Sequence, residues 1–237
     1  MFEYQVISTL PLYTIYASPF PRLLNLSDTV KGVVEKIWKQ ESALPNRYLF
    51  NGQILSLVSQ EGAILKGEFV EYKHYLAQMR DPSLQPILQI SPLSVSGITL
   101  ANKDFVLVGR RSENVTQNPN FYELVPSGGI DPNSIKDDKI DIDRQFLLEL
   151  EEEAGIAASA VISIEPFGLI YEKMSQTYEL CAEIRVDKDL EEKLLSPKKE
   201  YSHLLWLQKE ELENFIKEQK SNFLPMSQML LKMREFL

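Results

Sequence analysis

The sequence predicts an α+β protein built in two parts. Three observations carry this. Residues 4–70 hold several runs rich in Val, Ile, Leu and Tyr around one amphipathic helical pattern. Residues 94–237 alternate further strand-like runs with helical ones. Between them, residues 81–92 contain Pro82, Pro86 and Pro92, which mark a linker. The expected division is a small α+β N-terminal subdomain at residues 1–88 and a larger domain at residues 89–237.

In the first part, residues 4–8 and 12–17 read as strands. Ser27 can cap a helix over residues 29–40, where Val30, Val33, Val34, Ile37 and Trp38 recur at helical spacing. Asn51-Gly52 is a hairpin signal between residues 48–50 and 54–58. A strand at 63–70 and a short helix at 72–80 follow. In the second part, residues 94–100 and 105–109 flank Ala101-Asn102-Lys103-Asp104 as a hairpin. A strand at 121–125 leads into Pro126-Ser127-Gly128-Gly129. Strands are expected around 162–171 and 177–186, a short one at 204–207, and a helix at 209–218. Pro225 opens a last helix, in which Met226, Leu230, Met233 and Leu237 fill the core.

Composition narrows the function. Of 237 residues, 44% are hydrophobic and 25% charged, enough for a full core. A net charge of −9 disfavours nonspecific nucleic-acid binding, which needs basic patches to displace counterions. An anionic substrate must then be met by local cations, a metal or backbone N–H groups. The single cysteine, Cys181, excludes an internal disulfide and fits a reducing, cytoplasmic setting. The start Met1-Phe2-Glu3-Tyr4 lacks the basic region of a secretory signal, and no apolar run is long enough for a membrane span. His74 and His203 are too few and too separated for a zinc site.

The chemistry concentrates in residues 126–156. A helix over residues 143–154, capped by Asp141 or Asp143 and closed by Gly155, turns Phe146, Leu147, Leu150 and Ala154 inward. At about 100° per residue, Glu149, Glu152 and Glu153 share a neighbouring sector, while Glu151 falls across the apolar stripe. Converging carboxylates repel one another unless they are diluted in water or gathered around a cation. Magnesium is usually held by a few carboxylates, waters and substrate phosphates. Such runs are commonly plain solvated helix faces. The double glycine before this helix and the glycine closing it favour a metal site.

These residues resemble the Nudix hydrolase signature, G-x5-E-x7-R-E-U-x-E-E-x-G-U, where U is bulky and aliphatic. Gly129 fits the leading glycine, and Glu149, Leu150, Glu152, Glu153, Gly155 and Ile156 fit the end. Five residues are inserted between Gly129 and Glu149, Ile140 stands where the early glutamate belongs, and Leu148 replaces the arginine that steadies a neighbouring glutamate in that family. The resemblance implies a mixed sheet sandwiched between helices over residues 90–220. It also implies hydrolysis of a diphosphate linked to another moiety, with Mg²⁺ as cofactor and Mn²⁺ as an alternative ion. A looser similarity to the branch that hydrolyses UDP-glucose and UDP-galactose lies in Tyr72–Leu76 and in Leu107–Ser112. It implies a small-molecule nucleotide sugar as partner. ADP-ribose, a dinucleotide, or a weakly catalytic nucleotide-binding module are the alternatives.

Candidate roles follow. Glu149, Glu152 and Glu153 are the expected metal ligands and catalytic residues. Gly128 and Gly129 let backbone approach metal and phosphate, and the resemblance adds a glycine carbonyl as a ligand. Arg110 and Arg111 alternate on a strand, so one faces the cleft, and Arg111 is favoured as the phosphate contact. Glu200, in the loop before the last strand, matches the place where relatives carry a general base. Phe121, Tyr122 and Tyr171 are stacking candidates, with core packing as the plainer role.

Overall fold

The computed structural model describes residues 3–45, 49–102, 104–187 and 200–237. The chain begins with β1 (Tyr4–Ser8) and β2 (Thr14–Ala17). In α1 (Asp28–Ser42) the Ser27 hydroxyl accepts from the Val30 N–H, so a polar side chain occupies one of the free donors of the first turn. β3 (Gln53–Glu61) and β4 (Ile64–Glu71) pair antiparallel, and α2 (Tyr72–Arg80) and α3 (Gln85–Leu88) follow. Next come β5 (Leu93–Ala101), β6 (Phe105–Arg111), β7 (Tyr122–Leu124) and β8 (Ser127–Gly129). The short β9 (Ile135–Lys136) and β10 (Lys139–Ile140) precede α4 (Ile142–Ala154). β11 (Val161–Glu172), β12 (Thr177–Val186), β13 (Tyr201–Gln208), α5 (Lys209–Glu218) and α6 (Pro225–Met233) complete the chain.

Two sequence expectations are corrected here. Asn51-Gly52 does not turn a hairpin. Tyr48 lies outside the described residues, Leu49 and Phe50 belong to no strand, and β3 turns into β4 at Gly62, whose φ is +59°. Asn51 is instead recruited by α2. Its Oδ1 accepts from the Lys73 N–H at 2.9 Å and its Nδ2 donates to Glu71 at 3.1 Å. The proline-rich segment is not a bare linker either. Pro82 and Pro86 sit in the first turns of short helices, where a missing N–H costs nothing. Leu84, Leu88 and Ile90 are buried against Val34, Val70 and Tyr75. In the hairpin between β5 and β6, Lys103 lies outside the described residues.

The larger sheet runs β1-β11-β12-β5-β6-β13, with β7 on β6 and β8 on β5. β12 and β5 are parallel and its other pairs antiparallel. Its side chains alternate with the period of two that a strand imposes. Leu93 and Val95 of β5, Leu180 and Ala182 of β12 and Leu107 of β6 face α4 and the smaller sheet, meeting Phe146, Leu150, Ile15 and Phe69. Ile98, Leu100, Val106, Val108 and Cys181 face the other way, against Leu212 and Ile216 of α5 and Leu230 and Leu231 of α6. The fold is therefore α+β, with a mixed sheet between helical layers.

The smaller sheet, β3-β4-β2-β10-β9, draws on both parts of the chain. β9 and β10 lie within the lengthened segment before α4. Asp137 and Asp138 turn them at φ +51° and +58°, left-handed geometry that short polar side chains tolerate. Ile140, where the resemblance calls for a glutamate, is 6% exposed and belongs to the core. In exchange, β1 from the first part joins the larger sheet beside β11, and Leu55 of β3 donates its N–H to the Ile130 carbonyl at 3.0 Å.

This exchange makes a direct expectation. Limited proteolysis within residues 81–92 should fail to release a fragment 89–237 that keeps the activity and melting temperature of the intact chain. Release of a fully active, equally stable fragment would contradict the shared core.

Candidate active site

The Asp141 side chain caps α4, accepting from the Arg144 N–H at 3.0 Å, and Gly155 closes it at φ +69°. Rotation along the helix splits the acidic run. Glu151 and Glu152 are exposed, Glu149 is partly buried, and Glu153 is buried at 2% exposure beside Phe146 and Leu150. Glu153 Oε2 accepts from the Ser127 N–H of β8 at 3.1 Å. Gly128, next along β8, runs so close to α4 that a Cβ there would collide with the Glu149 carboxylate. The double glycine is expected to bring backbone close to metal and phosphate; what Gly128 approaches here is a carboxylate. At Gly129 the nearest atom to a Cβ would be Ile54 Cγ2 at 3.7 Å, so its contribution is its carbonyl, which accepts from Gln145 Nε2 at 3.1 Å.

Three further groups escaped the sequence reading. Gln145, fully buried one turn before Glu149, also donates to Glu149 Oε1 at 2.7 Å and accepts from the Asp131 N–H at 3.3 Å. Glu123, 3% exposed on β7, accepts from the Tyr201 hydroxyl at 2.8 Å, and that hydroxyl lies 3.5 Å from Glu153. Tyr201 is itself buried. A glutamate between Tyr122 and Leu124 in an apolar strand, and a glutamine on the inward face of an acidic helix, were signals that could have been used.

Arg111 faces inward, as expected of one of the two arginines, but its donors are committed. It pairs with Glu123, with Glu200 Oε1 at 3.1 Å, and with the Gln117 carbonyl at 3.1 Å. Arg110 lies over the Tyr122 ring at 5.9 Å. Glu200 is on the rim, its side chain 40% exposed. Two of the stacking candidates are used in packing: Tyr122 meets Phe215 edge-on at 5.1 Å, and Tyr171 meets Tyr178 at 4.7 Å.

Burial and mutual repulsion govern the electrostatics. Burial, then the charges of Glu200 and Glu152, push Glu149 up to about 8, against the pull of the Gln145 hydrogen bond. Glu153 is raised well above the usual carboxylate range by burial and by Glu200, Glu149 and Glu123, against the Ser127 N–H. Glu200 is raised by loss of water contact, with Arg111 opposing. Burial works against the Arg111 charge, yet Glu123 and Glu200 hold its pKa above the ordinary value. On the floor of the neighbouring cleft, Glu179 is pushed up to about 8, mainly by burial, while Ser96 donates to it at 2.9 Å.

That cleft, about 290 Å³, is lined by Gly128, Gly129, Arg111, Glu200, Glu179 and Tyr75 among others. Ile54 and Tyr72 from the first part also line it. Among the described residues no three His, Cys, Asp or Glu side chains stand together in an arrangement that could hold an ion. The donor chemistry still suits a hard divalent cation. The carboxylates are oxygen donors whose repulsion a cation would relieve, and Gly128 leaves the space where backbone and carboxylate meet. No helix among the described residues is long and apolar enough to cross a membrane.

Neither the family models nor the curated proteins contain a match to this chain. Solved structures do match in part. A bifunctional NMN adenylyltransferase/ADP-ribose pyrophosphatase from Francisella tularensis aligns at TM-score 0.47 and 14% identity, over 68% of this chain and 47% of that one. A Nudix hydrolase from Alicyclobacillus acidocaldarius aligns at 0.44 and 14%, over 61% and 90%. The Ap4A hydrolase of C. elegans aligns at 0.41 and 15%, over 60% and 94%. At these values the likenesses carry no argument about activity, which rests on the side chains above.

Two outcomes follow from the site. Gly128→Ala should push the flexible end of Glu149 aside and break its hydrogen bond from Gln145, a cost of roughly 0.5–1.5 kcal/mol measured by urea unfolding. An unchanged midpoint would contradict the close approach. The second concerns pH. Glu149, Glu179 and Glu153 have folded pKa values above their unfolded ones, so the stability they contribute is full below the ordinary carboxylate range and is lost as pH rises, for Glu149 and Glu179 through about 8. Glu200 and Asp143 are raised in the same sense, and His74, lowered by burial, works in the opposite one. Stability in EDTA should therefore fall between about pH 5 and pH 8. A rise across that range would contradict the assignment.

Proposed function

We propose that this chain is a divalent-metal-dependent pyrophosphatase of the Nudix type. Its proposed substrate is a nucleoside diphosphate sugar, with UDP-glucose first among them, giving UMP and glucose 1-phosphate. The observation that carries the proposal is the part-buried Glu149 and the buried Glu153 held against β8, whose Gly128 and Gly129 line the cleft although the two carboxylates themselves do not. A bound Mg²⁺, or Mn²⁺ in its place, supplies neutralisation of the diphosphate oxygens and a water of lowered pKa.

The chain supplies the rest. Glu149 and Glu153 are the inner ligands in this proposal. Glu152 approaches from the exposed side, where its charge already acts on Glu149 and Glu200. The Gly129 carbonyl adds a neutral oxygen. Glu200, on the rim with a raised pKa, is the proposed acceptor of a proton from the attacking water, a reading its exposure supports. Arg111 serves first as the counter-charge that lets Glu123 and Glu200 coexist. A substrate phosphate reaches it by displacing Glu200. Tyr72 and Tyr75 wall the cleft on the side of the first part, which gives residues 1–88 a share in choosing the substrate.

A second reading has its own support. Gln145, Tyr201 and Arg111 already satisfy the carboxylates, which suits a nucleotide-binding module of low turnover. Helix geometry separates the two. Glu153→Gln should lower Mg²⁺-dependent turnover by at least about 100-fold, roughly 2.7 kcal/mol of transition-state stabilisation. Glu151→Gln, on the exposed side, should stay within a few-fold. Equal activity of the two variants at saturating Mg²⁺ would favour the module. In a panel of nucleoside diphosphates read by product mass, UDP-sugars should lead, and a clear preference for ADP-ribose or a dinucleotide would move the substrate assignment and keep the chemistry.

A further inference from the structure

We infer that Gln145 is a positioning residue, setting the Glu149 carboxylate against the Gly129 carbonyl so that both oxygens face one ion. The inference rests on the metal-dependent reading above. Gln145 stands on the inward face of α4 beside Phe146 and Leu150, a place where an apolar side chain is the ordinary occupant. Burying a primary amide there is costly unless its polar atoms are paired. All of them are. The oxygen accepts from the Asp131 N–H at 3.3 Å, and the nitrogen donates at 3.1 Å to the Gly129 carbonyl and at 2.7 Å to Glu149 Oε1.

The four-residue spacing places Gln145 and Glu149 on the same strip of helix, one turn apart. Its other two partners belong to β8 and the loop after it. One side chain therefore ties the helix to the glycine strand and fixes the angle at which Glu149 points. The shortest of the three bonds is the one to the Glu149 carboxyl oxygen. Leu148, immediately before Glu149, has no polar atom to do this, and Arg144 is exposed.

The test measures metal uptake apart from turnover. Mn²⁺ binding is followed by calorimetry in the wild type, in Gln145→Met, in Gln145→Asn and in Leu150→Val. Methionine keeps the volume and removes the bonds. Asparagine keeps the amide but is one methylene short of Glu149. Leu150→Val loosens the same helix without touching Glu149 and provides the control for general destabilisation. Both Gln145 variants should raise the Mn²⁺ dissociation constant about tenfold or more, the scale on which groups that orient a ligand act. Leu150→Val should leave it within about twofold at a comparable loss of melting temperature. If either folded Gln145 variant binds Mn²⁺ as the wild type does, or if the control weakens binding equally, the inference is overturned and the proposed function stands. A wild type that takes up no Mn²⁺ would overturn both.

Discussion

Everything in this site depends on burying carboxylates beside a strand that has no side chain to separate them. Gly128 lets β8 and α4 approach until the Glu149 carboxylate fills the place of a Cβ. Desolvation of an ionised carboxylate is expensive, so each buried one must be paired, protonated or neutralised by a cation. The chain uses the first two devices. Glu123 is paired with Arg111 and Tyr201, while Glu149 and Glu153 are pushed toward their protonated forms. The third device is the functional claim.

The surrounding architecture serves that constraint. The large sheet is covered by α4 and the smaller sheet on one face and by α5 and α6 on the other. α4 therefore cannot relax away from β8. Residues 135–140, within the segment that is five positions longer than the pattern it resembles, form β9 and β10 on the smaller sheet. The Glu153 carboxylate reaches the Ser127 N–H, and the Glu149 carboxylate lies against Gly128. Strand exchange between the two parts brings Tyr4, Ile54, Tyr72 and Tyr75 to the cleft and its neighbouring pocket.

Much of this was legible in the sequence, and for identifiable reasons. β1, α2, β12 and α5 fall at the bounds read from the sequence, where runs of strand-forming or helix-forming residues end. The glutamate helix was legible down to its closing glycine. What failed were signals that tertiary contacts outbid. Asn51-Gly52 has good turn chemistry but was claimed by the first turn of α2, and the prolines of residues 81–92 start short packed helices. Within the site, helical angles grouped Glu149, Glu152 and Glu153, and the seven-residue spacing from Phe146 to Glu153, about 20° around the axis, was an unused signal that Glu153 shares the buried side. Gln145 sits one helical turn before Glu149 and was a local signal, whereas Glu123 and Tyr201 come from β7 and β13, and no local pattern links them to the helix.

The account holds that two buried carboxylates carry protons until a divalent ion replaces them. The most direct measurement is calorimetric titration of the full chain with Mn²⁺ near pH 7 in two buffers of different ionisation enthalpy. Binding should release about one proton or more per ion, because Glu149 and Glu153 must ionise to become ligands. Binding with the same heat in both buffers, and so no proton release, would contradict the account.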